Sequence, residues 1–260
     1  MKLKTLLKLE LYKLISKKIT YLLIITLIGP VVFAVSMYAG ASFLYSTGSE
    51  SIDVISDSGM SVFEFAATMY SQETYITYLI AIVISSILLV SEIEHGQILL
   101  YVKRICSRKK MILAKYISLL IIYLIFLFTF ICTSVILYFA FVAKSKYGNG
   151  IFLSDDIGKY LGMFLFSYID LALASSVTLL LGVRMKTFAS FAISYILWII
   201  SKYLDFFNSF ERLVPESCAG YIMEKGMNFY ELILRVFLFA IYIILIMFFA
   251  MRFFDKKDLK

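Results

Sequence analysis

Ionisable side chains are rare inside the apolar runs of this 260-residue sequence, and Asp170 lies deepest in one of them. It occupies the middle of the run KYLGMFLFSYIDLALASSVTLLLGVRMK. A carboxylate at the centre of a membrane costs about 2.5–3.5 kcal/mol unless it is paired, protonated or hydrated. Two roles fit Asp170 equally: a hydrogen bond to Ser or Tyr of a neighbouring helix, or a polar point in a transport pathway or hinge.

Arg235 lies just inside the end of the last apolar run. Glu231, four residues earlier, is its local candidate partner, and Asp170 is the candidate from another run. The apolar runs hold no pair of aspartates, no H-E-x-x-H motif and no Ser/His pair, so the sequence does not favour an intramembrane protease. We assign no catalytic residue.

The largest concentration of charge lies between two apolar runs, in residues 91–116, SEIEHGQILLYVKRICSRKKMILAKY. It holds six basic residues, two glutamates and the only histidine, His95, to which we assign no catalysis because it has no nucleophile or metal partner. Its middle part predicts a short amphipathic helix at the membrane edge. The apolar face consists of Ile98, Tyr101, Val102 and Ile105, and the basic face of Lys103 and Arg104. Anionic headgroups are the simplest contact for that basic face.

A second amphipathic segment precedes the first apolar run. Its apolar face is formed by Leu3, Leu7 and Leu14, with Leu6 and Leu11 beside them. Glu10 falls near the centre of this face, and Lys13 or Lys17 lies within helical reach of it. The ion pair of Glu10 with one of these lysines is either a simple surface pair or part of a gate.

The composition restricts the fold class to an all-α membrane protein. Hydrophobic residues make up 62% of the chain and the mean hydropathy is +0.90, against about 45–50% apolar residues in average globular proteins. Runs of about 20 apolar residues can cross a membrane as helices. We predict one transmembrane domain, 1–260, with an N-terminal amphipathic helix over 1–18. Its six spans are predicted at about 21–44, 75–90, 117–142, 160–183, 188–204 and 232–254, the first with a kink at Gly29-Pro30.

The distribution of basic residues predicts the orientation of these spans, because cytoplasmic flanks collect Lys and Arg. Six basic residues precede the first span, six lie between the second and third, two between the fourth and fifth, and four at the end of the chain. The loop 45–74 has neither Lys nor Arg. We expect both termini to be cytoplasmic in a multi-pass protein of the cell membrane, most simply a bacterial one. This asymmetry accounts for the net charge of +7 without a nucleic-acid partner.

The order of residues in the 91–116 segment resembles the signature of type-2 export permeases of the ABC (ATP-binding cassette) transporters. In that family the second span ends in an acidic pair and a Gly, followed by a short helix, by "SR" and by a basic residue entering span three. Here these are Glu92, Glu94, Gly96, Ser107, Arg108 and Lys115. The family usually has Pro before "SR", where this chain has Ile105-Cys106. The segment KLELYKLISKK, residues 8–18, resembles the family's elbow helix.

The resemblance implies that the short helix is a coupling helix that docks on an ATPase subunit. Lys103 and Arg104 lie within it, and Ser107 could cap the helix that follows. The family also implies a homodimer or a heterodimer of related permeases in contact with membrane lipids, and an outer segment, here 205–231, that dips partway into the membrane. It implies transport of an amphipathic peptide such as a bacteriocin or toxin, of lipids or of drugs.

The chain offers no cofactor site of its own. It has no G-x-x-x-x-G-K-[ST] phosphate-binding loop, so ATP and Mg²⁺ are expected on the separate ATPase subunit and this chain is not expected to be an enzyme. Cys106, Cys132 and Cys218 have no metal-ligand spacing with His, and we predict no metal site. The alternative is an ion-coupled secondary transporter or a channel, for which Asp170 is almost the only charged residue available.

Overall fold

The computed structural model describes residues 3–40, 59–98, 107–152, 156–203 and 213–256, and most of these residues are helical. No strand lies within these ranges. Five helices are long and apolar enough to cross a membrane. The predicted all-α class and the multi-pass character are therefore confirmed at this level.

The N-terminal part contains two helices of different character. Helix α1, Leu3–Ser16, is followed by a 3₁₀ segment, Lys18–Leu27, and by α2, Ile28–Tyr38. The 3₁₀ segment and α2 together form the first candidate span, Lys18–Tyr38. The change of helix type falls just before the predicted kink at Gly29-Pro30. Pro30 lies in the first turn of α2, directly after the 3₁₀ segment, and its ring has no N–H to donate to the preceding turn.

Helix α3, Val62–Ser86, begins well before the predicted start of span two at residue 75. Its N-terminus is fixed by a capping box, in which Ser61 Oγ accepts from the Glu64 N–H and the Glu64 carboxylate accepts from the Ser61 N–H. The prediction that 45–74 is all loop was therefore wrong for residues 62–74. The spacing Ser-x-x-Glu at Ser61 and Glu64 is typical of a helix start, but we interpreted this acidic region as a loop.

The remaining helices follow the apolar runs more closely. Helix α4, Arg108–Ala140, ends in a 3₁₀ turn, Val142–Lys144. Helix α5 spans Ile157–Arg184, and α6 spans Thr187–Tyr203. Helix α7, Pro215–Lys225, and helix α8, Phe229–Lys256, complete the described chain. Helices α5 and α8 include the predicted spans four and six and extend them by one to three residues at each end, whereas α4 begins nine residues before the predicted span three and ends two residues short of it.

The predicted fifth span corresponds to α6, which has 17 residues and is apolar but short. At a rise of about 1.5 Å per residue it covers about 25 Å, whereas the hydrocarbon core of a membrane is about 30 Å thick. The structure thus supports five helices of spanning length plus one shorter apolar helix.

Helices α3 and α5 form the centre of the bundle. Two thirds of the apolar window of each, 67%, is buried, against 11% for α8. Helix α7 packs on α5 at Gly162, where an added Cβ would come within 2.3 Å of Ile222 Cδ1. We call the end of the bundle that carries the start of α4 and the last turns of α5 and α8 the basic end, because Arg108, Lys109, Arg184 and Lys256 lie there.

Candidate functional site

The candidate site is a set of charged side chains buried at the basic end, and α1 supplies two of them. Leu6, Glu10 and Leu14 are spaced four residues apart, so they lie on one face of α1, and all three are buried. Glu10 thus takes the middle place in a buried row and is only 4% exposed. Lys13 lies one turn further and keeps part of its side chain accessible.

Helix α3 supplies the second carboxylate through an irregular last turn. After Ser86 the chain continues as a π-helical segment, Ile87–Ser91, and then a short α-helical turn, Glu92–Glu94. The Glu92 N–H bonds to the carbonyl of Leu89 rather than to that of Leu88. The Leu88 carbonyl instead accepts a hydrogen bond from Lys115 Nζ at 3.0 Å. π-Helical turns often occur at functional positions, and here a carbonyl of the turn accepts a hydrogen bond from a buried cation.

Helix α4 supplies that cation two turns after its start. Met111, Lys115 and Leu119 share one face of α4 and are all buried. Lys115 has no exposed surface. A lysine is almost never fully buried unless it is paired, so its surroundings decide whether this position is tolerable.

The four charged groups form a closed ring of alternating sign, which we call the charge ring. Lys115 Nζ lies 2.9 Å from Glu10 Oε2 and 2.7 Å from Glu92 Oε2. Lys13 Nζ lies 3.1 Å from Glu10 Oε1 and 3.3 Å from Glu92 Oε1. Each carboxylate therefore bonds one lysine with each of its oxygens. The ring is neutral, and it ties α1, the end of α3 and the start of α4 together.

Lys17 lies beside the ring without joining it. Burial lowers the pKa of its ammonium group below 10.5, and the charges of Lys115 and Lys13 act in the same direction, while Glu92 and Glu10 oppose the shift. Because the ring already balances two carboxylates against two lysines, a fifth charge has no carboxylate of its own there. Of the charged side chains at this site, Lys17 is therefore the one whose charge is least compensated.

Glu94 connects the same end of α3 to the junction of α5 and α6. Its carboxylate accepts from the Thr187 N–H at 3.1 Å and from the Thr187 hydroxyl, so it caps the first turn of α6. Ser86 Oγ donates to the Thr187 carbonyl at 2.8 Å. Val90 packs so closely on Gly182 of α5 that a Cβ there would lie 2.3 Å from Val90 Cγ2. The end of α3 thus contacts α1, α4, α5 and α6.

The other residues of the sequence signature lie around this hub. Gly96 has φ +67, a left-handed conformation that favours glycine and ends the turn after Glu94. Ser107 precedes α4 at the N-cap position, but its side chain makes no capping hydrogen bond. Arg108 Nη1 donates to the Asp255 carbonyl at 3.1 Å, which joins α4 to α8. Ile98 is buried, and the remaining residues of the predicted amphipathic helix, including Lys103 and Arg104, lie outside the described residues.

Asp170 belongs to a second polar group, far from the charge ring along α5. Its Oδ2 accepts from Trp198 Nε1 of α6 at 2.9 Å, a partner that the sequence did not suggest, and the hydroxyl of Tyr78, a Tyr of the neighbouring helix α3 as predicted, lies within hydrogen-bonding reach of the carboxylate. Arg235 of α8, the other candidate partner of Asp170, is not the donor of the hydrogen bond to Oδ2. Tyr78 stacks on Trp198 at 4.5 Å and donates to the Ser167 carbonyl at 2.9 Å.

A cation that sequence reasoning missed completes this second group. Lys202 lies 4.2 Å from the centre of the Tyr75 ring and 5.3 Å from that of Trp198, and it pairs with Glu216 of α7 at 3.1 Å. We call Asp170, Trp198, Tyr78, Tyr75 and Lys202 the aromatic cluster. The spacing of four between Trp198 and Lys202 placed them on one helix face, but nothing in the sequence pointed to Glu216.

Neither group has the composition of a catalytic or metal centre. In the charge ring every lysine and every carboxylate is engaged in ion pairs, and within the described residues no three His, Cys, Asp or Glu side chains are grouped so as to hold a metal ion. Its chemistry is to hold several helices in one relative arrangement. A scan against protein-family models finds none that matches the chain, and a search of curated proteins finds no match.

Proposed function

We propose that this chain is the transmembrane subunit of an ATP-driven exporter, coupled to a separate ATPase subunit that binds ATP and Mg²⁺. The observation that carries the proposal is the charge ring. It brackets the segment that resembles a coupling helix, with Glu92 before it and Lys115 after it, and it fixes both flanks to α1. A force applied to that segment then reaches three helices at once.

The buried position of Glu92 gives it a specific role in this proposal. A side chain that is 4% exposed cannot meet a groove on another subunit, so Glu92 positions the flank of the coupling segment. Docking then rests on Lys103 and Arg104. Glu94 extends the rigid hub to α5 and α6, which lets a movement of the segment spread through the bundle.

The pathway would form in a homodimer or heterodimer, because six spans make half of the usual twelve. In this proposal α6 serves as the sixth, short span, both termini are cytoplasmic, and the basic end faces the cytoplasm of a cell membrane. Its substrate is an amphipathic peptide, such as a bacteriocin or toxin, or else a lipid or drug. The peptide is proposed because this chain resembles small permeases that export bacteriocins or protect the producing cell from them, and the sequence shows no large extracellular domain.

The experiment reverses the charge of the coupling segment. Lys103→Glu with Arg104→Glu is made in the full chain and co-purified with its candidate ATPase. The matched control is Lys144→Glu with Lys146→Glu, two exposed lysines at the end opposite the basic end. Reversal should cost several kcal/mol of association, on the order of 2–5 for a buried pair, and abolish ATP-dependent transport. Membrane insertion should stay normal.

Two outcomes separate the alternatives. If the charge-reversed variant binds the ATPase and transports normally, the proposed coupling role is wrong. Transport that persists without any ATPase but requires an ion gradient would favour the ion-coupled transporter. The orientation is tested separately by cysteine labelling of intact cells, where a cysteine replacing Asp53 should react without cell breakage and one in 103–115 should not.

A further inference from the structure

A cavity of about 660 Å³ lies at the basic end between the last turns of α5 and α8. Its lining includes Val183, Arg184, Phe253 and Lys256. Val183 is buried and Phe253 partly so, whereas Arg184 and Lys256 are exposed. The cavity therefore combines an apolar wall with two cations at its mouth.

Arg184 is held in place by an aromatic ring. Its guanidinium lies 4.0 Å from the centre of the Phe253 ring, a cation–π contact. This contact draws on the charge of the guanidinium and does not use up its N–H donors as a hydrogen bond would. A planar fork of donors matches the oxygens of a phosphate group.

The helix ends do not cancel this positive charge. Arg184 and Lys256 are the last residues of α5 and α8, and a helix C-terminus carries about half a negative charge. The two side chains carry two positive charges and the two helix C-termini together about one negative charge, so about one positive charge remains at the cavity. Asp255 is the nearest acidic residue on α8, and its carboxylate pairs with Lys109 at 3.6 Å, while Lys186 and Arg252 add exposed positive charge nearby.

The position of the cavity favours a lipid over a soluble anion. Both helices are candidate membrane spans, so their ends lie near headgroup level. Only 11% of the apolar window of α8 is buried in the chain, so most of this helix is available to lipid. An acyl chain could follow α8 while the headgroup occupied the cavity.

We propose that this cavity binds the phosphodiester headgroup of an anionic phospholipid, with Arg184 and Lys256 on the phosphate and Phe253 orienting Arg184. The proposal is independent of the exporter function, since it requires only that α5 and α8 cross the membrane with the basic end at the cytoplasmic leaflet. The cytoplasmic leaflet is rich in anionic lipids, and each Lys or Arg near such a surface contributes to binding.

The test is native mass spectrometry of the purified full chain titrated with phosphatidylglycerol or phosphatidylcholine. The wild type should retain phosphatidylglycerol in preference to phosphatidylcholine. Arg184→Gln with Lys256→Gln should weaken that retention about 30-fold. The control Lys144→Gln with Lys146→Gln removes two exposed lysines at the other end of the molecule and should change nothing.

Additional measurements distinguish a lipid headgroup from free phosphate and exclude misfolding as the cause of a loss. Arg184→Lys keeps the charge but loses the planar fork, so it should give an intermediate loss at an unchanged unfolding temperature. Equal retention of phosphatidylglycerol by wild type and double variant would overturn the proposal. So would displacement of the lipid by inorganic phosphate at similar concentration, or loss of ATPase binding with lipid retention intact, because the cavity would then take a free anion or a protein.

Discussion

The charge ring and the aromatic cluster both hold ionisable groups inside the bundle, but they compensate the charge in different ways. In the ring, each charged group has two oppositely charged partners, and the backbone carbonyl of Leu88 adds a further bond. In the aromatic cluster, Asp170 has a neutral donor, Trp198, and Lys202 rests on ring faces and one carboxylate. The ring joins three segments through charges, whereas the cluster joins α3, α5, α6 and α7 mainly through aromatic contacts.

The difference shows where the bundle is rigid and where it can open. Breaking a buried ion pair leaves an uncompensated charge and costs about 3–5 kcal/mol. The Lys202–Glu216 pair has side-chain exposures of 19% and 16%, so water can replace either partner at much lower cost. We expect the basic end to move as one body and α6 and α7 to separate more easily.

The largest predicted effect comes from Lys115→Met, which removes the fully buried one of the two cations that Glu10 and Glu92 share and leaves the two carboxylates with Lys13 alone. We expect a loss of about 3–5 kcal/mol in the free energy of unfolding, measured by denaturant titration in detergent. Lys109→Met is the matched control on the same helix, since its pair with Asp255 is exposed and worth at most about 1 kcal/mol. Equal effects of the two variants would show that the ring does not hold the bundle together.

The second effect concerns Asp170. Asp170→Leu leaves the Trp198 indole N–H unpaired in a buried place and should cost about 1–3 kcal/mol, whereas Asp170→Asn keeps an acceptor oxygen and should be close to wild type. Thermal unfolding followed by Trp fluorescence measures both. Asp156→Asn is the control, because Asp156 is exposed and pairs only with the neighbouring Lys159 among the ion pairs of the described residues. If Leu and Asn variants unfold alike, the hydrogen bond to Trp198 contributes nothing.

A transport assay of the same variants addresses the alternatives for Asp170. A stable Asp170→Asn protein with reduced transport would identify a polar point in the pathway or hinge. Wild-type transport by both variants would leave only the structural role. We expect the Asn variant to transport less, because a neutral amide cannot provide the charge.

A smaller effect separates the two contacts of Lys202. Lys202→Met removes the ion pair and the cation–π contact, and Glu216→Gln removes the ion pair alone. We expect losses of about 1–2 kcal/mol for the first and below about 1 kcal/mol for the second, by the same thermal measurement. A Glu216→Gln loss larger than that of Lys202→Met would mean that the aromatic rings do not stabilise Lys202.

The smallest effect is predicted at Lys17, where burial lowers the pKa below 10.5. Between the lowered folded pKa and 10.5 the unfolded chain binds more protons than the folded one, so stability rises with pH through that window. Lys17→Met should therefore be as stable as wild type or slightly more so near neutral pH. The difference between variant and wild type should shrink toward pH 10.5. A difference that grows with pH would contradict the sign of this shift.

The sequence by itself determined the helical class, the approximate positions of five spanning helices and the place of Glu10 within α1. These depend on hydropathy and on helical periodicity, which act over a few turns and can be read along the chain. The Glu10–Lys13 pair was within reach for the same reason, since its members are three residues apart. The early start of α3 was also encoded locally, in the Ser61–Glu64 spacing, but the acidic surroundings obscured it.

Only the tertiary structure decided which distant groups meet. Lys115 reaches Glu10 across 105 residues and Asp170 reaches Trp198 across 28, and a carboxylate on an apolar face could have paired with any cation at the same depth. The π-helical turn at the end of α3 has no sequence signal of its own. Its Leu88 carbonyl bonds Lys115, 27 residues away in the chain, which only the packing of α4 on the end of α3 brings within reach.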